Sequence, residues 1–411
     1  MEFTKEMRGT HTLYLPAMLD QHFPLIRHAL RGEVYQVRVL SVEPEEEKCP
    51  RNCACYPVSR MVGQMLTALE TGVCENPRRS AFLLPPAGAG CAGENHFRPI
   101  EMALEDAGFP EVPVLALNLR EKQVFPGISL TPGLVRKALS AILLGDMLQL
   151  CLMDAAPDEA EPGSAEALHR KWVHDLGLQI ASGKTCSGSH RRACYMEILK
   201  SFKALPRSGR PAVKVVMTGE PYLKYCAAGN RDLLRTLWAH GCKVWLSGFV
   251  GYGTCVVDSL RDQFEHNGNR ALKNLCGMAR DYAGKLQREM LDLAEKAGLD
   301  HPSHYDEVKA RADAALGNCR VDDAWYLAAD ILDAGAAGYR TVVVPCAAGC
   351  LGPERIAREV LAKVNEHRPE LEVTLLDFTA PSEERAQVLD GLLARIEEQR
   401  ADEAVSSGVF V

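Results

Sequence analysis

Between Cys49 and Gln64 the chain reads CPRNCACYPVSRMVGQ, with three cysteines crowded into a turn ahead of a helical pattern. Pro50, Asn52 and Pro57 tighten the turn, and Val58, Met61, Val62, Met65, Leu66 and Leu69 recur at helical spacing beyond it. Cysteines at a helix N-terminus meet unpaired N–H groups and the positive end of the helix dipole, which favour thiolate over thiol. Such sulfurs serve as nucleophiles or metal ligands. Three thiolates do not close a tetrahedral site, so further ligands come from elsewhere or one metal position stays open.

Two more loops share the design of an apolar strand, a turn rich in glycine or proline, a cysteine and then a helix: PPAGAGCAGEN with Cys91, and PCAAGCLGPE with Cys346 and Cys350. Gly88, Gly90, Gly93 and Gly349 let backbone approach a bulky ligand closely, as a cubane cluster requires. Iron–sulfur clusters are held mainly by thiolates, and one cysteine from each of three strand ends would supply three ligands around one crevice. A single buried cysteine is as often a small hydrophobe. Three loops of one design favour ligation. Zinc is the weaker alternative, because no CxxC…CxxC and no HExxH accompanies the cysteines.

Other candidates are slighter. Glu94, Asn95 and His96 follow Cys91, and Glu220 and Tyr222 lie in MTGEPYLKYCAAGN after a strand end, where they could line the crevice or simply cap and pack helices. Tyr56 and Tyr225 are read in the same two ways. Cys186 and Cys194 flank His190 and form a minor second cluster, while the other lone cysteines read as packing groups. SGKT lacks the first glycine of a phosphate-binding loop and GxGxxG is absent, which argues against a standard dinucleotide site.

The elements that must position these loops are alternating strands and helices. Strands are expected at 12–16, 35–41, 81–84 and 112–117, with helices at 18–30, after the first cysteine loop, and up to 107. From 131 to about 205 the pattern is helical, broken by a loop at 156–164. The alternation restarts with AVKVVMTGE at Ala212, a helix at 230–240, and strands at 243–247, 341–344 and 372–377. This pattern predicts an α/β protein of two doubly wound, mostly parallel-sheet domains. The expected boundaries are 1–125 and 211–400 for the two domains, 126–210 for a helical connector and 401–411 for a flexible tail. Ligands of such sheets bind beyond the strands' carboxyl ends, where the strand order reverses.

At 411 residues the chain is long enough for two or three domains, and a net charge of -7 gives no reason to expect nucleic acid or an anionic membrane as partner. No basic-then-apolar leader and no uninterrupted spanning segment is visible, so a cytoplasmic protein is expected. Fifteen cysteines then point to metal or redox chemistry rather than a disulfide framework.

FTKEMRGTHTLYLPAMLDQHFPLI, CYPVSRMVGQMLTAL, GAGCAGENHF, VMTGEPYLKYCAAGN and GCLGPERIAREVL, in that order, resemble the 2-hydroxyacyl-CoA dehydratase superfamily, in particular the branch related to acyl-CoA dehydratase activases. The resemblance implies doubly wound domains holding a 4Fe-4S cluster between them, with Cys55, Cys91 and Cys350 as ligands by motif. Cys346, Cys53 and Cys49 would join them in a double-cubane 8Fe-9S cluster. It implies an ATP-dependent 4Fe-4S activase as electron donor, a related subunit or a second copy as partner, and a CoA thioester or other small molecule as substrate. In the dehydratases proper, electron transfer forms a ketyl radical from which the hydroxyl leaves, so a dehydratase-like lyase or a cluster-dependent reductase is expected. A non-catalytic electron-transfer or accessory subunit is the alternative, and a zinc or thiol-redox protein a third. The chain departs from the branch in reading CAAGCLGPE where a phenylalanine and GCLPNH are usual.

Overall fold

TLYL, SAFLL, VKVVM and TVVVPC are apolar runs too short for helices, and such runs form strands covered on both faces. In the computed structural model, which describes residues 2–33, 35–50, 55–84, 97–116, 127–129, 131–210, 212–317, 324–348 and 357–407, they are the inner strands of two four-stranded sheets. The first sheet contains β1 (Thr12–Leu15), β2 (Gln36–Val39), β3 (Ser80–Leu84) and β4 (Val114–Ala116), ordered β2-β1-β3-β4. The second contains β5 (Val213–Met217), β6 (Cys242–Trp245), β7 (Thr341–Cys346) and β8 (Glu372–Asp377), ordered β6-β5-β7-β8. Every pairing within them is parallel. Inner strands β3 and β7 are buried throughout, whereas edge strands β2 and β8 are partly exposed. The chain is therefore α/β, and the two sheets repeat one strand order.

Three helices connect the halves: α4 (Pro132–Ala155), α5 (Ser164–Ala181) and α6 (Gly188–Lys203). Thr131 starts α4 by accepting a 3.0 Å bond from the Leu134 amide, with Pro132 in the first turn where its missing N–H costs nothing. The helical segment Pro132–Asp158 is long and apolar enough to cross a membrane, but 78% of its most apolar window is buried inside the protein. Leu143, Leu144 and Met147 of α4 share one apolar core with Leu13 and Leu83 of the first sheet and Val215 and Val244 of the second. The longest apolar helix is the common core of both halves.

Three elements differ from their sequence expectations. The helix expected from 18 starts as α1 (Phe23–Arg31), because residues 19–22 turn first, with the His22 and Phe23 amides both donating to Leu19 O. The helix expected over 230–240 is split into α8 (Ala227–Asn230) and α9 (Leu233–Ala239) by Arg231 and Asp232 at φ 52° and 58°. Asn230 drives the break by turning its Oδ1 to the Leu233 amide at 3.1 Å and its Nδ2 to Leu223 O at 2.8 Å. Finally α15 (Ser382–Ser407) continues into the stretch expected to be a flexible tail, since the Glu, Gln, Arg and Ala of 397–404 are good helix formers.

Candidate functional site

The first cysteine loop leads into α2 (Tyr56–Glu70), with half-buried Cys55 at its N-cap and Pro57 in its first turn. Cys49 takes a different place from the one the sequence suggests. Its sulfur packs against Gly63 in the middle of α2, where any Cβ would collide with it, and lies 3.5 Å from Glu45 O and 3.8 Å from Arg60 Nη1. Burial pushes the Cys49 thiol up, against the thiolate form. Buried Cys346 ends β7, and its carbonyl accepts from the Phe378 amide at 2.9 Å. Beside it the ends of β5 and β7 approach closely: a Cβ on Gly219 would sit 2.6 Å from Pro345 O. Cys53, Cys91, Cys350, Glu94, Asn95 and His96 lie outside the described residues.

The loop after β5 meets the first half directly. Glu220 caps α7 (Pro221–Tyr225), its Oε2 accepting from the Leu223 amide at 2.9 Å. Tyr222 is buried, with its ring against Gly229, and Tyr225 donates to Ser247 O at 2.8 Å, so both are packing groups. Beneath them buried Lys224 donates to Asp330 and Ser247, each at 2.6 Å, which satisfies an ion pair that would otherwise be costly. Across the junction Asp20 accepts from the Ala227 amide at 2.8 Å, and burial raises its carboxyl to about 6 against the pull of that amide. Tyr222, Cys226 and Ala228 of the second half pack in one cluster with Val58, Met61 and Cys55 of the first.

Three polar side chains at this junction, Arg60, Glu46 and Arg231, escape a sequence reading. Arg60 is 6% exposed on a helix buried from Pro57 to Leu69, and it donates to Glu46 at 2.6 Å and to Ala228 O at 3.4 Å. Arg231, exposed and just past α8, pairs with the same Glu46 oxygen at 3.1 Å. Tyr56 donates to Gly229 O at 3.1 Å; burial raises its phenol while Arg60, Arg231 and Arg385 act on it electrostatically in the opposite sense. The available signal was Arg60 itself, since a cation in an otherwise apolar helical repeat needs a partner.

A second junction lies on the connector. Buried Asp146 of α4 accepts from His22 Nε2 at 2.7 Å and from the first amides of α10 (Phe249–His266), Phe249 at 2.7 Å and Val250 at 3.0 Å. Gly145 and Gly248 leave the room that His22 and Asp146 fill. The minor cluster near His190 is a hydrogen-bonded one: His190 Nε2 lies 2.6 Å from Gln179 Oε1, and the Cys194 thiol turns to the same oxygen.

Among the described residues no group of three or more His, Cys, Asp or Glu could hold a metal ion. Of the six cysteines singled out as ligands, Cys49, Cys55 and Cys346 are described and do not form such a group with one another. Cys55 stands at the N-terminus of a 15-residue helix. No family model matches the chain, and no curated protein matches it.

Proposed function

We propose that the chain is an iron–sulfur protein of the 2-hydroxyacyl-CoA dehydratase type, with two doubly wound halves facing a crevice into which Cys55, Cys91 and Cys350 deliver thiolates. A 4Fe-4S cluster bound there would supply a low-potential electron to a CoA thioester or another small molecule. The observation that carries the reading is the meeting of the Cys55 end of α2 with the loop after β5, through Tyr56–Gly229 and Arg60–Ala228. The strand order adds support. In each sheet the order reverses between the first and third strands in sequence, and ligands of such sheets bind at that reversal. β3 and β7, the strands that precede Cys91 and Cys350 in sequence, each stand at one reversal.

The chain's own residues have definable tasks in this reading. First-turn amides of α2 lower the cost of negative charge on Cys55, and Gly219 lets the ends of β5 and β7 close together. An ATP-dependent activase is the electron donor in this reading, because cluster potentials reach down to about -700 mV and ketyl formation demands that end of the range.

The experiment is anaerobic purification followed by iron and sulfide analysis and EPR of the dithionite-reduced protein. Iron and sulfide in equal amounts with a low-temperature cluster signal are expected. A colourless protein that takes up no iron and sulfide on reconstitution would sink the reading.

A further inference from the structure

The Tyr56 hydroxyl on Gly229 O and Arg60 on Ala228 O meet the same turn, and Arg60, Arg231 and Arg385 all act electrostatically on Tyr56. Their anionic neighbours are few. Glu46, 67% exposed, gives one oxygen to both Arg60 and Arg231 and also acts on Arg385, where Asp377 adds to it while accepting from the Thr379 amide and hydroxyl. Arg385 itself donates to Ala380 O at 3.3 Å and rests on the Phe378 ring. Burial, and then the positive charge of Arg231, lower its affinity for its proton. Arg60 is nine-tenths buried, and its Nε has no hydrogen-bond partner among the described residues. Arg60 and Arg231 thus share one carboxylate oxygen, and Arg385 lies within electrostatic reach of Arg231 and Tyr56.

We propose that Arg60, Arg231 and Arg385, with the Tyr56 hydroxyl, form a seat for the phosphoryl group of a small-molecule ligand, with Glu46 holding the seat when it is empty. Guanidinium forks match phosphate oxygens in geometry and stay charged at every working pH, which suits a dianion better than a single carboxylate. Glu46 is the internal competitor. Its exposed position lets an incoming dianion displace it from two arginines at little structural cost. The seat is built only of described side chains and does not depend on the presence of iron.

The test is calorimetric titration of the full chain with inorganic pyrophosphate and, separately, acetate, at low and moderate salt, with its iron content measured alongside. Arg231→Gln and Arg385→Gln should each weaken pyrophosphate binding roughly tenfold, the loss of one charge-assisted contact. Glu46→Gln should strengthen it by a similar factor, a gain that impaired folding does not produce. Arg78→Gln, an exposed charge elsewhere, should change nothing, and acetate should bind weakly to all. Equal pyrophosphate affinity in the wild type, R231Q and R385Q, or weaker binding in E46Q, would overturn the seat. Because iron content is measured separately from binding, loss of the cluster reading leaves this result standing, and the reverse.

Discussion

The two halves are joined in two places of opposite character. At Asp146 one buried carboxylate takes a histidine N–H from the first half and two amides from the second, and Gln149 adds bonds to Leu246 O and Ser247 O. Tyr56 and Arg60 each send one hydrogen bond across the junction, and Arg231 and Glu46 are open to solvent. The two Asp146 oxygens have three donors, which makes a charge taken out of water tolerable, while His22 Nδ1 and Gln149 Oε1 beside them have no partner among the described residues. The second junction keeps one unspent donor, Arg60 Nε. Binding sites are drawn from such incompletely satisfied regions, where a ligand can complete what the protein leaves open.

That contrast can be broken most directly at Asp146. Asp146→Ala leaves the His22 Nε2–H and two buried amides without an acceptor, and a loss of about 3–5 kcal/mol in urea denaturation is expected. A loss below about 1 kcal/mol would show the pin to be dispensable. Cys55→Ala, at the other junction, should do the opposite: iron content should collapse while the urea midpoint stays near that of the iron-free wild type. The same outcome is expected for Cys91→Ala and Cys350→Ala, with Cys49→Ala retaining its iron; equal loss in all, with Cys53→Ala and Cys346→Ala included, would favour the larger cluster.

Asp20 offers a pH test of the open junction. Its folded carboxyl titrates at about 6 against an ordinary 3.8, with burial opposing its charge and Glu43, Asp232 and the Cys226 thiol as its neighbours. A raised carboxyl binds its proton more tightly in the folded state, so its contribution to stability is full below pH 4 and is lost as pH rises through about 6. The Tm difference between the wild type and Asp20→Asn should therefore change across that window and be flat above pH 7. A difference independent of pH would refute the shift. The smallest effect is expected from Tyr56→Phe, which loses one half-buried hydrogen bond and about 1 kcal/mol of stability.

The strands were legible because each inner one is a short apolar run between turn formers, and β8 matched its expected bounds residue for residue. The junctions were legible only in part. Cys55 at the start of α2 follows from the CYP turn, but Cys49 was placed with it at the helix N-terminus because nothing local tells that Gly63 opens a niche for its sulfur. Asp146 gave one local hint, a carboxylate inside the otherwise uncharged run 138–153 of α4. Its partners lie more than a hundred residues away on both sides, at His22 and Phe249, and no local pattern names them. The convergence of Arg60, Arg231 and Arg385 is likewise a product of tertiary packing. Arg231 was masked further, because the run 230–240 reads as one helix until Asn230 is seen to cap the next.

Arg231 keeps a long side chain on a left-handed backbone, the conformation in which glycine is the relaxed choice, and Asp232 follows it in the same state. A non-glycine residue there costs about 1 kcal/mol, so Arg231→Gly should raise the urea midpoint. The position is then one where the fold and the ligand make rival demands on a single codon. A screen for thermal tolerance alone would drift toward glycine, and a screen for retention of phosphorylated ligands would drift back to arginine.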